Sequence, residues 1–219
     1  MSPARAPASR PTLRRERSLL RERGWSALAC VDEVGRGALC GPVTVGVVLV
    51  TPTVAPAPLG VRDAKLLTPK RRNALVPLIR RWAPAWAVGH ASSVEIDSWG
   101  IIGALRVAAL RAMAHLPRMP EGVLLDGSHD YLSGTPADGS VGLAVPVVPV
   151  VRADLSCAAV AAASILAKTT RDGLMDQLSV RFPDYGWAEN SGYASPAHRA
   201  AIEHLGLTPH HRHSWNLLP

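Results

Sequence analysis

Apolar and polar residues along the chain change period several times, and each change marks an element. The runs Ala27–Asp32 and Val43–Val50, the second dense in β-branched residues, predict two strands joined through a turn at Gly35-Arg36-Gly37. Prolines make Thr51–Leu59 a loop. Pro69 directly after Thr68, a good capping residue, opens a helix to about Trp82, and Pro77 inside it predicts a kink or an early stop. Trp86–Ser92 reads as a third strand, Ile101–His115 as a helix, and Gly122–Asp126 as a short buried strand ending on a carboxylate. Val145–Val151 is apolar but carries Pro146 and Pro149, the mark of an irregular or edge strand. The longest helix is expected from Ser156, as its N-cap, to about Val180. Its first half is nearly all small residues, Ala158 to Ala163 and then Ser164 and Ala167, so that face should lie close against a sheet. One more helix is expected near Pro196–Leu205, and a short one at Thr12–Arg23 with a stripe of Leu13, Leu19 and Leu20. Residues 1–11, rich in Pro, Ala, Ser and Arg, should be disordered. Strands first in hairpins and then alternating with helices predict an α/β fold, a mixed sheet flanked by helices.

Composition narrows this only modestly. The 219 residues suit one domain with a small appendage, and 47% hydrophobic with 19% charged is ordinary for a globular chain. No apolar run reaches the ~20 residues that span a bilayer, and the basic N-terminus lacks the apolar core of a secretory signal, so a cytoplasmic protein with no membrane association is expected. Cys30, Cys40 and Cys157 cannot all pair and form no C-x-x-C, which points to reduced, buried thiols. The net charge of +7 suggests a polyanionic partner, but residues 1–23 hold seven arginines against Glu16 and Glu22, leaving only +2 for the rest. A solvated basic tail explains that distribution equally well.

The acids change the picture more. Three strand-like segments run into carboxylates: Val31 into Asp32-Glu33, Leu125 into Asp126, and Val150-Val151 toward Asp154 ahead of the long helix. Strand ends in open α/β sheets are where sites gather. Singly, each acid is an ordinary turn residue. If the strands are neighbours, however, like charges ~4 Å apart repel by about 4 kcal/mol at an effective dielectric near 20. A few such pairs would rival the roughly 5–15 kcal/mol stability of a domain. Protons or divalent cations must then neutralise the cluster, and all-oxygen ligands favour Mg²⁺ or Mn²⁺ over zinc. Asp32 and Glu33 face opposite sides of a regular strand, so both can join one site only if the strand ends, bulges or twists there.

The stretch Val31-Asp32-Glu33-Val34-Gly35-Arg36-Gly37 with Gly41-Pro42, the segment Asp63-Ala64-Lys65-Leu66-Leu67, and Leu125-Asp126-Gly127 occur in order along the chain. Ala153-Asp154, Ala161 to Lys168, Thr170-Arg171-Asp172, Tyr185-Gly186, Gly192-Tyr193, and His211-Arg212 with Ser214-Trp215 follow. This ordered set resembles the ribonuclease HII family from about residue 25 to 215. The resemblance implies a ribonuclease H-like sheet with a small C-terminal helical extension and two divalent metals. It also implies cleavage of RNA in RNA/DNA hybrids, and incision 5′ of single ribonucleotides in ribonucleotide-containing duplex DNA, leaving 3′-hydroxyl and 5′-phosphate ends. Asp32, Glu33, Asp126 and Asp154 match the family's four catalytic, metal-binding acids. Gly35, Arg36 and Gly37 match its sensor of the ribose 2′-hydroxyl, and glycines there let backbone groups approach a sugar. Tyr193 matches a tyrosine that stacks on the following sugar, while Lys65, Ser164 and Lys168 are candidate phosphate contacts. Ser164 and Lys168 share a helix face, and Asp172 is placed to pair with Lys168.

On this basis residues 1–23 form a basic, partly disordered tail, 24–180 the catalytic domain and 181–219 a substrate-binding helical segment. Ala64 and Ser191 stand where the family usually has serine and lysine, which removes two phosphate contacts. His210, His211 and His213 invite a zinc reading, but no cysteine or acid lies beside them, and packing or DNA contact fits better. The alternatives are a ribonuclease HIII, for whose extra N-terminal domain the short tail leaves no room, and a non-catalytic nucleic-acid-binding protein on the same fold. A monomer is expected, with no protein partner evident.

Overall fold

Leu28–Val34 (β1) is apolar on both faces until it reaches its acids, and the fold places it in the middle of the sheet. The computed structural model describes residues 10–133 and 142–217. Helix α1 (Arg14–Arg23) precedes β1, and β2 (Val43–Val50), α2 (Pro69–Trp82), β3 (Ala85–Ala91) and α3 (Ser93–Ala114) follow. Then come β4 (Gly122–Asp126), β5 (Val147–Val150), α4 (Ala153–Ser156), α5 (Ala158–Arg181), α6 (Trp187–Asn190) and α7 (Pro196–Leu205). The strand order is β3-β2-β1-β4-β5. The first three strands are antiparallel neighbours, and β4 and β5 join in parallel, giving the expected mixed sheet with β5 at an edge.

Side-chain alternation divides the interior in two. Leu28, Cys30, Val48, Val50 and Leu124 face α5, with α1 and α2 packed around it. Ala29, Val31, Val45, Val47 and Leu125 face α3. The alanines of α5 are buried as expected, and the contact is so close that a side chain at Gly46 would meet the Ala163 carbonyl. A third, smaller cluster of Leu39, Cys40, Met175, Tyr185, Trp187 and Ile202 fastens the C-terminal helices to the end of α5. All three cysteines are buried and free. No helix among the described residues is long and apolar enough to cross a membrane.

Three expectations need correction, and one helix gains a segment. Strand β1 does not end at Asp32 but continues to Val34, with Glu33 opposite Val45. Helix α2 runs through Pro77 without stopping. Pro77 and Asn73, whose carbonyl loses its partner, are both exposed, so water can take that carbonyl while Leu75 and Ile79 hold the buried face. The helix expected from Ile101 is present, but Gly100, with a non-helical φ of +69° and ψ of 168°, joins it to an unforeseen first segment of α3 from Ser93, launched by a reciprocal capping box between Ser92 and Glu95. The long helix starts after Cys157, not at Ser156, because a separate turn, α4, intervenes. Of the segment expected to be disordered, residues 1–9 lie outside the described residues. Arg10 and Pro11 are placed, and Arg10 donates to the Ala57 carbonyl at 3.0 Å.

Candidate active site

Parallel pairing of β1 with β4 sets Cys30 beside Leu124 and brings Asp32 and Asp126 to the same end and the same face of the sheet. Asp126 then acts on the chain that follows β5. Its Oδ1 accepts the Ala153 amide at 2.6 Å and the Asp154 amide at 3.4 Å, capping α4 and fixing Asp154. One carboxylate oxygen from each of Asp32, Asp126 and Asp154 lies within 4.8 Å of the others. Burial pushes the Asp32 carboxyl well above the usual range, and the negative charge of Asp126 adds to this. A hydrogen bond from Ser164 opposes the shift. Asp154 is raised to about 6, by burial first and then by Asp126 and Asp63, with Lys65 in opposition. The Lys65 ammonium stands 3.9 Å from Asp154, and although burial works against its charge, the surrounding carboxylates raise its pKa.

Glu33 does not join this triad. Regular pleating turns it to the opposite face of β1, where it pairs with Arg36 at 3.5 Å and accepts from the Tyr131 hydroxyl at 3.5 Å. It is still close enough to feel Asp126, and burial raises its pKa. Glu33 also borders a cavity of about 280 Å³ lined by Lys65, Ser164, Lys168 and Tyr193, four of the seven residues singled out as substrate contacts; Gly35, Arg36 and Gly37 lie outside its lining. The Tyr193 hydroxyl accepts the Gly35 amide at 3.1 Å, joining the tyrosine to the glycine-rich turn. Ser164 is buried against Asp32, whereas the Lys65 side chain is 73% exposed. Lys168 is paired with Asp172 at 2.6 Å, and Asp172 also holds Arg72 at 3.0 Å. A polar groove of about 770 Å³ shares Lys65 and Lys168 and runs on past Asp172 to Ser191.

The chain matches the family model for ribonuclease HII over residues 29–218. It belongs to the ribonuclease HII family. A ribonuclease HII from Streptomyces coelicolor is 50% identical over 212 residues, covering 97% of this chain and 86% of that protein. One from Paracoccus denitrificans is 46% identical over 192 residues, covering 88% of this chain and 86% of that protein. Among solved structures, ribonuclease H2 from Pyrococcus horikoshii superposes with a TM-score of 0.69 at 24% identity, over 87% of this chain and 94% of that one. A complex of PCNA with RNase HII from Archaeoglobus fulgidus gives a TM-score of 0.68 at 26% identity, over 88% of this chain and 95% of that one. As a ribonuclease HII the chain is a ribonuclease H, a hydrolase acting on nucleic acid, of a family that depends on divalent metal. The donor set fits that dependence, since three converging carboxylates with little counter-charge suit a hard divalent cation.

The zinc reading of the C-terminal histidines finds no support among the described residues, where no histidine joins a metal-binding set. His211 is fully buried, accepts the Thr208 amide on Nδ1 and meets His198 at 3.2 Å, so His211 is a packing residue, whereas His213 is exposed. The sequence reading did not anticipate Arg171 and Arg212. Both side chains are fully buried and donate only to backbone carbonyls around the glycine-rich turn. Their motifs were visible, but nothing in a linear sequence distinguishes an arginine that turns inward from one that meets solvent.

Proposed function

We propose that this ribonuclease HII cleaves the phosphodiester on the 5′ side of ribonucleotides, both in RNA/DNA hybrids and at single ribonucleotides embedded in duplex DNA. Water attacks phosphorus, the bond from phosphorus to the upstream 3′-oxygen breaks, and that oxygen takes up a proton. The products are a 3′-hydroxyl and a 5′-phosphate. The observation that carries this reading is the convergence of Asp32, Asp126 and Asp154 next to a cavity bordered by Lys65 and Tyr193, with the Tyr193 hydroxyl bonded to the glycine-rich turn.

In this reading Asp32, Asp126 and Asp154 hold two divalent ions, Mg²⁺ or Mn²⁺, with Glu33 as the fourth acid at the cavity rim. Bound there, such ions supply electrophilic stabilisation of the phosphoryl group and activation of water. The protein's own side chains do the rest. Lys65, exposed and drawn toward the acids, meets a phosphate. Ser164 holds Asp32 in place from beneath, and Lys168 lends charge to the wall of the cavity. Gly35, Arg36 and Gly37 present the backbone to the ribose 2′-hydroxyl, and the half-exposed ring of Tyr193 lies flat under the next sugar.

The test is a duplex carrying one ribonucleotide, incubated with Mg²⁺, with Mn²⁺ and with chelator. A metal-dependent nick with a 3′-hydroxyl end is expected, reduced by roughly 100-fold or more in Asp126→Asn. A wild-type chain that binds the duplex without nicking it would return the reading to a binding protein.

A further inference from the structure

Arg171 on α5 and Arg212 in the C-terminal segment reach the loop between β1 and β2 from two directions. Arg212 donates from Nη1 to the Arg36 carbonyl at 2.8 Å, from Nη2 to the Gly35 carbonyl, and from Nε to the Gly41 carbonyl at 3.3 Å. Arg171 donates from Nε to Pro42 at 2.8 Å, from Nη2 to Cys40 at 3.0 Å and from Nη1 to Ser191 at 2.8 Å. Its guanidinium also stands 5.5 Å from the centre of the Tyr193 ring. Among the described residues neither arginine forms an ion pair. A buried guanidinium without a carboxylate is costly, and these two are held by carbonyl oxygens alone. Burial lowers Arg212 to about 10, so it remains charged at neutral pH.

The carbonyls that Arg212 captures decide where the loop's amides point. A trans peptide sets its C=O and N–H on opposite sides. With the Gly35 and Arg36 carbonyls drawn inward, the amides of Arg36 and Gly37 point away from Arg212. Both of those residues are exposed. The Gly35 amide is already engaged by the Tyr193 hydroxyl at 3.1 Å. Two successive outward amides form a small concavity suited to an oxygen atom.

We propose that Arg212 and Arg171 are positioning residues for ribonucleotide recognition: a clamp that turns the amides of Arg36 and Gly37 toward the substrate and holds Tyr193 in register with them. The role rests on the 5′-ribonucleotide cleavage proposed above, and neither arginine touches the reacting atoms. Lysine cannot replace either one, because a single ammonium cannot span several carbonyls in the plane of a guanidinium fork.

The experiment measures kcat and KM of Arg212→Lys and Arg171→Lys on the duplex with one ribonucleotide, with the active fraction set by Mn²⁺-binding stoichiometry. Either variant suffices should the other fail to fold. The expected result is a fall in kcat of about 10-fold or more at nearly unchanged KM and unchanged Mn²⁺ affinity. In Arg212→Ala, dilute guanidinium chloride should restore part of the lost rate. A merely structural role would lower stability and active fraction while leaving kcat per active site alone, and that outcome overturns the clamp. Wild-type chain that fails to nick the duplex removes the proposed function, and the clamp's role with it. Wild-type chain that nicks, alongside lysine variants with unchanged kcat, removes the clamp only.

Discussion

Gly35 and Gly37 look alike in the sequence and have different reasons to be glycine. Gly35 adopts a φ of +84°, and a side chain there would run into Arg171 and the Pro42 carbonyl. Gly37 has ordinary backbone and nothing within 4 Å of where a Cβ would sit. The interior therefore explains Gly35, whereas at Gly37 it leaves open space that the proposed substrate contact would use. Gly35→Ala should destabilise by at least ~1–3 kcal/mol from backbone strain alone. Gly37→Ala should stay within about 0.5 kcal/mol of wild type by denaturant unfolding, yet cut single ribonucleotides markedly more slowly. Equal cutting by Gly37→Ala would take the loop out of the site. The sequence suggested close sugar approach for both glycines, because it cannot show that Arg171 fills the space behind one of them. It did show that Asp32 and Glu33 must diverge on a regular strand, and they do.

At the scale of elements, the junction of α4 and α5 shows how a short-range rule fails. Ser156 has the chemistry of an N-cap, but α5 begins after Cys157, which offers no side-chain cap. The cap comes from far away in sequence: the Thr12 carbonyl accepts the Ala158 amide at 3.0 Å and Glu16 accepts the Ala159 amide at 2.8 Å. No local pattern carries that information. The capping box at Ser92-Ser93-Val94-Glu95, in contrast, was legible, and the polar first turn with Gly100 obscured it. Glu16 is fully buried, with its second oxygen unpartnered, and burial raises its pKa to about 7. A carboxyl whose folded pKa lies above its unfolded one, near 4.5, stabilises the fold most fully below pH 4.5, and that stabilisation is lost as pH rises through about 7. Glu16→Gln keeps an acceptor for Ala159 and does not titrate. Its melting temperature should therefore vary less than wild type's between pH 5 and 8, an effect of roughly 2–3 kcal/mol at the upper end. Identical pH profiles for the two proteins would refute the assignment.

Over the whole molecule, the fold class was readable because strand and helix periods were clean from β1 to α5. The order of strands was not, since an apolar face says only that a partner exists. That order decides the site, because β1 must lie beside β4 for Asp32 to meet Asp126. Three carboxylates converge in the resulting cluster, so a divalent ion should stabilise the fold, by about 2.7 kcal/mol at 100 times its Kd, and raise the melting temperature. Protons compete for Asp154, whose pKa is about 6, so the gain should be larger at pH 8 than at pH 5. Asp126→Asn should lose most of it. Thermal melts with Mn²⁺ and with chelator read all of these outcomes.

The position of β1 also sets a sequence of events in time. Its antiparallel partner, β2, is the next strand along the chain, whereas its parallel partner, β4, waits for the closure of a long intervening stretch. Asp32 is therefore expected to be in place before Asp126 and Asp154 dock against it. The mutual repulsion of the acids would then fall late in folding, and an ion that neutralises them should slow unfolding more than it speeds folding, which stopped-flow unfolding with Mn²⁺ and with chelator would read.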